Sequence, residues 1–163
     1  MLIRDTFATR INEKIEPIVK VADRKPDVVH GELANLIVTN QWERYIHTVL
    51  DAYVDAADRS SEQGVGVWIS GFFGSGKSLL MKTLGLLVEG GPVRQQTVDS
   101  LFLARLPASS PFRRDIERCL TVMRRKLTAT AIGGNLPTSP ALMGTVGKGG
   151  PLPWAGVSLG WAP

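Results

Sequence analysis

The fold is decided by residues 66–78, which read Gly66-Val67-Trp68-Ile69-Ser70-Gly71-Phe72-Phe73-Gly74-Ser75-Gly76-Lys77-Ser78. With Val65, the beginning of this stretch is a short apolar, β-branched run, typical of a strand buried on both faces in a parallel sheet. Residues 71–78 then match G-x-x-x-x-G-K-[ST] at every fixed position. Leucines at helical spacing follow, and Gly90-Gly91 provide a stop. The stretch therefore predicts a strand, a glycine-rich loop and a helix.

The loop residues have the chemistry that a triphosphate requires. Backbone N–H groups can wrap an anion where residues without a Cβ take the positive-φ and close-approach positions, here Gly71, Gly74 and Gly76. The helix that follows directs its free N–H groups and the positive end of its dipole at the same anion. We expect Lys77 to reach the β- and γ-phosphates of ATP, and the Ser78 hydroxyl to ligate Mg²⁺ between them.

The predicted nucleotide-binding residues are therefore the whole loop, Gly71, Phe72, Phe73, Gly74, Ser75, Gly76, Lys77 and Ser78, with Ser78 also the magnesium ligand. A chance match in a chain of this length occurs roughly once in a few hundred cases. The alternative is a glycine-rich turn without a ligand. The two phenylalanines are expected to pack under the loop, with contact to a partner as the weaker alternative.

Hydrolysis requires an acidic residue at the end of a second buried strand. Beyond residue 90 there is no run of four apolar residues that ends in Asp or Glu, and Asp99, Asp115 and Glu117 are predicted to be solvated charges. A guanine-reading Asn-Lys-x-Asp tetrad is also missing from the sequence, which disfavours a GTPase. Catalytic residues stay unknown, and ATP binding is better supported than ATP hydrolysis.

Composition places the chain among ordinary globular proteins of about one domain. It has 163 residues, 44% hydrophobic and 21% charged, and no apolar run near the ~18 residues that cross a bilayer. The net charge of +4 is uneven, since residues 1–60 carry 8 Lys and Arg against 10 Asp and Glu. Cys119 is the single cysteine, so no internal disulfide can form, and we expect it to be a small buried residue. Together with the missing apolar run, this predicts a cytoplasmic location without membrane contact. His30 and His47 have no ligand-spaced partners, so a metal-ligand cluster is not expected.

The remaining elements are predicted from local patterns. Residues 15–21 predict a short edge strand because Pro17 disfavours a helix, and residues 23–27 predict a loop. Asn40, with Glu43 three residues later, predicts the start of a helix whose apolar face is Trp42, Tyr45, Ile46, Val49, Leu50, Tyr53 and Val54. We expect this face to pack in the hydrophobic core. A role for Trp42 in stacking on a cofactor is a remote alternative. Two further helices are predicted, one capped by Thr97 and one beginning at Ser110-Pro111, and neither segment is expected to form a strand.

The chain therefore divides into a partial P-loop NTPase domain over residues 1–131, of α/β class with flanking helices and an incomplete sheet, and a tail over 132–163. The tail holds 8 Gly and 5 Pro in 32 residues and one charge, Lys148. No packed structure is expected there.

Four segments resemble the N-terminus of the large P-loop proteins of bacteriophage-exclusion (BREX) systems, the BrxC and PglY family. They are residues 1–5, 18–21, 32–39 and, most closely, 66–78. The resemblance implies a cytoplasmic, ATP-dependent component of a phage-defence system that works beside a DNA methyltransferase and a phosphatase-like protein. It also implies that Gly71 to Ser78 bind the nucleotide.

The chain departs from this family in length, and Leu79 stands where a polar or aromatic residue, often His, is expected. A truncated or frame-shifted member, with a tail never selected to fold, is one hypothesis. It fails if the encoding DNA, read in another frame after residue 130, shows no continuing ATPase sequence.

Two functions remain open at this point. The first is an ATP-binding ATPase component of phage defence, or a fragment of one. The second is a non-enzymatic DNA- or partner-binding module with nucleotide as a structural ligand, using the basic helix Arg113–Lys126. A solvated face is the favoured interpretation of that helix, because no base-reading aromatics accompany it. A small-molecule kinase is a weaker third option.

Overall fold

The arrangement of helices and strands is known for residues 18–58, 66–72, 74–133 and 156–159, which a computed structural model describes. Over these residues the chain is mixed α/β and mostly helical. In chain order the elements are α1 (Pro26–Ala34), α2 (Asn40–Asp58), β1 (Gly66–Ile69), α3 (Lys77–Glu89), β2 (Pro92–Val93), β3 (Gln96–Thr97), α4 (Val98–Leu103), α5 (Arg113–Gly133) and β4 (Gly156–Leu159).

The predicted strand, loop and helix are confirmed as β1, the connection after it, and α3. The expectation that the strand is buried on both faces is wrong, because Trp68 is 51% exposed and Val67 and Ile69 are only partly buried. The helix ends where Gly90 takes a φ of 69° and donates its N–H to the Leu86 carbonyl, the stop predicted from the two glycines. α2 and α5 also begin near their predicted starts. α4 is capped as predicted, since Thr97 and Ser100 exchange side-chain and backbone hydrogen bonds.

The sheet around β1 corrects the prediction for the tail. β4 lies in the segment expected to have no packed structure, yet it pairs in parallel with β1, with Gly66 opposite Gly156 and Ile69 opposite Leu159. Over these four residues the prediction is wrong, because Gly156 to Leu159 include no proline and their main-chain N–H and C=O groups can pair with a neighbouring strand. Helix α5 also continues to Gly133, past the predicted boundary at residue 131. The other residues of the tail lie outside the described part of the chain.

Helices α1, α2, α3, α4 and α5 share one hydrophobic core. The predicted apolar face of α2 is confirmed: five of its seven side chains are buried and its two tyrosines pack at the margin. α4 contributes Val98, Leu101 and Phe102 to this core, and α5 contributes Ile116, Cys119, Leu120 and Met123. The buried hydrophobic residues of the core are Val29, Leu33, Leu36, Trp42, Ile46, Val49, Leu50, Val54, Leu80, Leu84, Leu86, Leu87, Val93, Val98, Leu101, Phe102, Leu106, Ile116, Cys119, Leu120 and Met123.

Three local predictions differ from the structure. Residues 18–21 are not a strand, while 15–17 lie outside the described residues. The segment 23–27 was expected to be a loop, but Pro26 is the first residue of α1, where its fixed φ and missing N–H are tolerated. Strands β2 and β3 were not expected. They form a small antiparallel hairpin in which Arg94, at the turn, takes a φ of 55°.

Arg124 on α5 ties α4 to the C-terminal end of α3. Its guanidinium donates two hydrogen bonds to Asp99, at 2.9 and 2.8 Å, and others to the main-chain carbonyls of Leu87 and Val88. Asp99 was predicted to be a solvated charge, and that prediction is wrong, because its side chain is only 21% exposed and paired. Helix-end carbonyls and a carboxylate both need donors, and one guanidinium serves them together.

Replacing Arg124 by methionine is expected to lower the free energy of unfolding by about 2–3 kcal/mol, since the Asp99 carboxylate and the α3 carbonyls lose charged donors while the methylene stem is kept. The exposed Arg125 provides the matched control, and Arg125→Met is expected to change stability by less than about 0.5 kcal/mol. Urea unfolding of the two variants measures both quantities. Equal losses would contradict the bridging role of Arg124.

Candidate phosphate-binding loop

The loop joins the carboxyl end of β1 to the first residue of α3. Two of the three glycines predicted to need positive φ have the expected left-handed backbone, Gly74 with φ 81° and Gly76 with φ 80°, and Gly71 has φ 155°. A Cβ on Gly74 would meet no atom within 4 Å, so the chain is open on that side. Gly76 is the N-cap residue of α3, with ψ 10°. Here glycine is required by backbone conformation more than by crowding.

The Lys77 ammonium lies back across the loop. Its Nζ donates hydrogen bonds to the carbonyl oxygens of Gly71 and Phe72, at 2.8 and 2.5 Å, and lies 3.5 Å from Ser75 Oγ. The first residue of α3 therefore places a positive charge at the mouth of the loop. The ammonium is held there by neutral acceptors.

The N-terminus of α3 lacks the groups that usually stabilise the start of a helix. In its described first turn there is no acidic residue, and none of the described side chains caps it by hydrogen bonding. Ser78, the second residue of the helix, is exposed. A lysine at the positive end of the helix dipole is unfavourable by itself, and an anion bound between them is attracted to both.

Beneath the loop lies Trp42, from the first turn of α2. A Cβ added to Gly76 would be 3.2 Å from Trp42 Cζ2, so the edge of the indole is against the glycine. Trp42 is 5% exposed, which confirms its predicted place in the core. Its position under the loop was not predicted, because nothing in the spacing of α2 indicates which element its apolar face meets.

The two phenylalanines of the loop have different outcomes. Phe72 is 67% exposed, so the prediction that it packs under the loop is wrong for this residue. The side chain that lies against the loop at Gly76 is the indole of Trp42, while Phe72 is on the surface. Phe73 lies outside the described residues.

The donor set fits a magnesium nucleotide. The left-handed glycines, the uncapped start of α3 and the Lys77 ammonium are groups that bind phosphate oxygens, and the exposed Ser78 hydroxyl is the kind of oxygen that Mg²⁺ accepts. The open side of Gly74 provides room for such a ligand.

Two arginines of the basic helix Arg113–Lys126 make internal contacts, and a third makes an ion pair on the surface. Arg113 donates to two main-chain carbonyls at the end of α4, at 2.9 and 2.7 Å, Arg124 bridges α4 and α3, and Arg118 lies 3.6 Å from a carboxylate of α2. Arg114 and Arg125 are exposed. This use of the cations favours the interpretation as a solvated and partly structural face. DNA contact through this helix stays a prediction.

Cys119 is fully buried in the core, as predicted. Its Sγ lies 3.9 Å from Asp51 Oδ1, and burial raises the pKa of the thiol, so it remains protonated at neutral pH. Within the described residues, no group of three or more His, Cys, Asp or Glu side chains is placed to hold a metal ion. None of the helices that the structure describes is long and apolar enough to cross a membrane.

No protein-family model matches the chain, and no solved structure matches it.

Proposed function

We propose that this protein binds a magnesium nucleoside triphosphate, ATP, through residues 71–78, as a partial P-loop NTPase domain. The observation that carries the proposal is the placement of the Lys77 ammonium over a loop with left-handed glycines, between the end of a parallel strand and an uncapped helix start. These groups together supply backbone donors and a positive charge to one anion.

In the proposed complex, the loop N–H groups and the start of α3 hold the phosphates, Lys77 neutralises the terminal ones, and Ser78 holds Mg²⁺. The metal supplies charge neutralisation when bound. The Lys77 ammonium has three N–H donors, of which two are given to the carbonyls of Gly71 and Phe72, and the third can be donated to a phosphate oxygen.

Binding is better supported than hydrolysis. Because neighbouring parallel strands end at the same edge of a sheet, the residues after β4 are the natural place for the acid that turnover requires. Neither β4 nor residues 160–163 contain Asp or Glu. Asp115 and Glu117 are exposed on α5, as predicted.

The biological setting is a proposal that rests on the sequence resemblance. A BrxC- or PglY-like N-terminal region belongs to a cytoplasmic ATPase component of a BREX-type phage-defence system, acting with a DNA methyltransferase and a phosphatase-like protein. Adjacent genes for those two proteins would support this setting, and their absence from the neighbourhood would count against it.

Calorimetry with the full chain tests nucleotide binding directly. MgATP and MgADP are expected to give saturable heat, and ligand at a hundred times its dissociation constant is expected to stabilise the fold by about 2.7 kcal/mol. Adenosine, which lacks phosphates, is the control and is expected to give neither. The absence of heat and of a thermal shift with both nucleotides would contradict the proposal.

A further inference from the structure

Trp42 is a core residue whose outer edge meets the candidate loop. With a Cβ built on Gly76, the nearest atoms are Trp42 Cζ2 at 3.2 Å and Cη2 at 4.0 Å, both in the six-membered ring. Gly76 is also the residue whose φ of 80° and ψ of 10° turn the chain into α3. The indole therefore lies against the residue at which the loop turns into α3, and the backbone of that residue is left-handed.

Trp42 is anchored in the hydrophobic core and in the first turn of α2. Trp42 belongs to the buried cluster of α2, and its backbone N–H donates to Thr39 Oγ1 at 3.3 Å in the first turn of the helix. Protein interiors are close-packed, so a wide, rigid ring in this position resists movement of the loop toward the core. At Gly74, a Cβ would meet no atom of the described residues within 4 Å. The indole thus supports the loop at Gly76, while the space beside the Cα of Gly74 is open.

We infer that Trp42 is a positioning residue of the phosphate-binding loop. By holding Gly76 in its left-handed conformation, it keeps the first N–H groups of α3 and the base of Lys77 directed at the ligand. The inference deepens the proposed nucleotide-binding function and rests on it. Trp42 does not contact the ligand, and its effect is transmitted through Gly76.

The first experiment compares two core substitutions in the full chain, Trp42→Leu and Phe102→Leu. Phe102 is fully buried on α4, which Arg124 links to the C-terminal end of α3, away from the loop. Both changes remove an aromatic ring from the same core and are expected to destabilise it. At a temperature where both variants are folded, Trp42→Leu is expected to weaken MgADP binding about tenfold and Phe102→Leu by less than about twofold, a tenfold change corresponding to about 1.4 kcal/mol.

Trp42→Phe provides the second variant, in case the leucine change prevents folding. It keeps an aromatic ring in the core but lacks the Cζ2 and Cη2 edge that faces Gly76. An intermediate loss of MgADP affinity, about threefold, is expected. Equal affinities for wild type, Trp42→Phe and Phe102→Leu would overturn the inference and return Trp42 to an ordinary packing role.

Hydrogen exchange separates this inference from the proposed function, because it needs no nucleotide. In the ligand-free chain, the hydrogen-bonded amides of Ser75 and Leu80, which donate to the carbonyls of Phe72 and Gly76, are expected to exchange about tenfold faster in Trp42→Phe than in wild type, with no such change in Phe102→Leu. If wild type binds no MgADP but this difference is seen, the function fails while the support of the loop by Trp42 stands. Unchanged exchange in Trp42→Phe would overturn the support itself.

Discussion

Lys77→Ala is expected to weaken MgATP binding about a hundredfold or more, because it removes the cation that lies against the carbonyls of Gly71 and Phe72 in the loop. A charge-assisted contact to phosphate in a preorganised loop contributes more than a surface ion pair. Calorimetry and ligand-induced thermal shift measure the loss.

Two controls define the interpretation of this result. Lys20→Ala removes an exposed lysine outside the loop and is expected to leave MgATP affinity unchanged. Lys77→Met keeps the length of the side chain without its charge, and it is expected to lose affinity as Lys77→Ala does. Wild-type affinity in Lys77→Met would show that charge at this position is not used, and would contradict the proposed phosphate contact.

The second large effect is expected from a buried ion pair between α1 and α3. Lys82 Nζ lies 2.6 Å from Glu32 Oε2, and the two side chains are 0% and 16% exposed. Neither atom makes a further hydrogen bond in the described part of the chain. Lys82→Ala is therefore expected to lower the free energy of unfolding by about 3–5 kcal/mol, because it leaves a carboxylate buried without its counter-charge.

The double variant Glu32→Leu/Lys82→Met separates the cost of breaking the pair from its net contribution. Burying two apolar side chains avoids the desolvation of both charges, so its stability is expected to lie within about 1 kcal/mol of wild type. Urea unfolding of the single and double variants closes the cycle. A double variant as unstable as Lys82→Ala would contradict this account.

A matched exposed pair is available on the same helix. Arg24 lies 2.9 Å from Glu89 at the end of α3, and the two side chains are 39% and 45% exposed. Arg24→Ala is expected to cost only about 0–1 kcal/mol, since water replaces the lost partner. If Arg24→Ala and Lys82→Ala had the same effect, burial would not be the deciding factor.

Predictions succeeded where the physical cause is local. The loop pattern, the glycine stop after Glu89 and the exchange of hydrogen bonds between Thr97 and Ser100 all depend on residues a few positions apart. The periodic apolar face of α2 is also a local property. α1 was missed although Pro26 and Asp27 at its start are favourable helix signals, because its apolar pattern consists mainly of Val29 and Leu33.

Predictions failed where residues far apart in sequence meet. The pairing of β4 with β1 and of Asp99 with Arg124 overturned expectations based on composition and exposure. The exposed Phe72 is a third case, because burial of a loop side chain depends on which elements pack against the loop. Each outcome depends on which distant segments the folded chain brings together. The spacing of residues along the sequence does not predict that.

The sequence alone determined the strand–loop–helix unit at residues 66–89, its glycine positions and the chemical groups offered to a phosphate, since these follow from local backbone preference and side-chain type. Only the tertiary structure decided that Trp42 supports the loop, that Glu32 pairs with Lys82, and that β4 completes the ladder beside β1. The reason is physical: burial, counter-charges and strand neighbours come from whichever segment packs alongside, and that is a property of the folded chain as a whole.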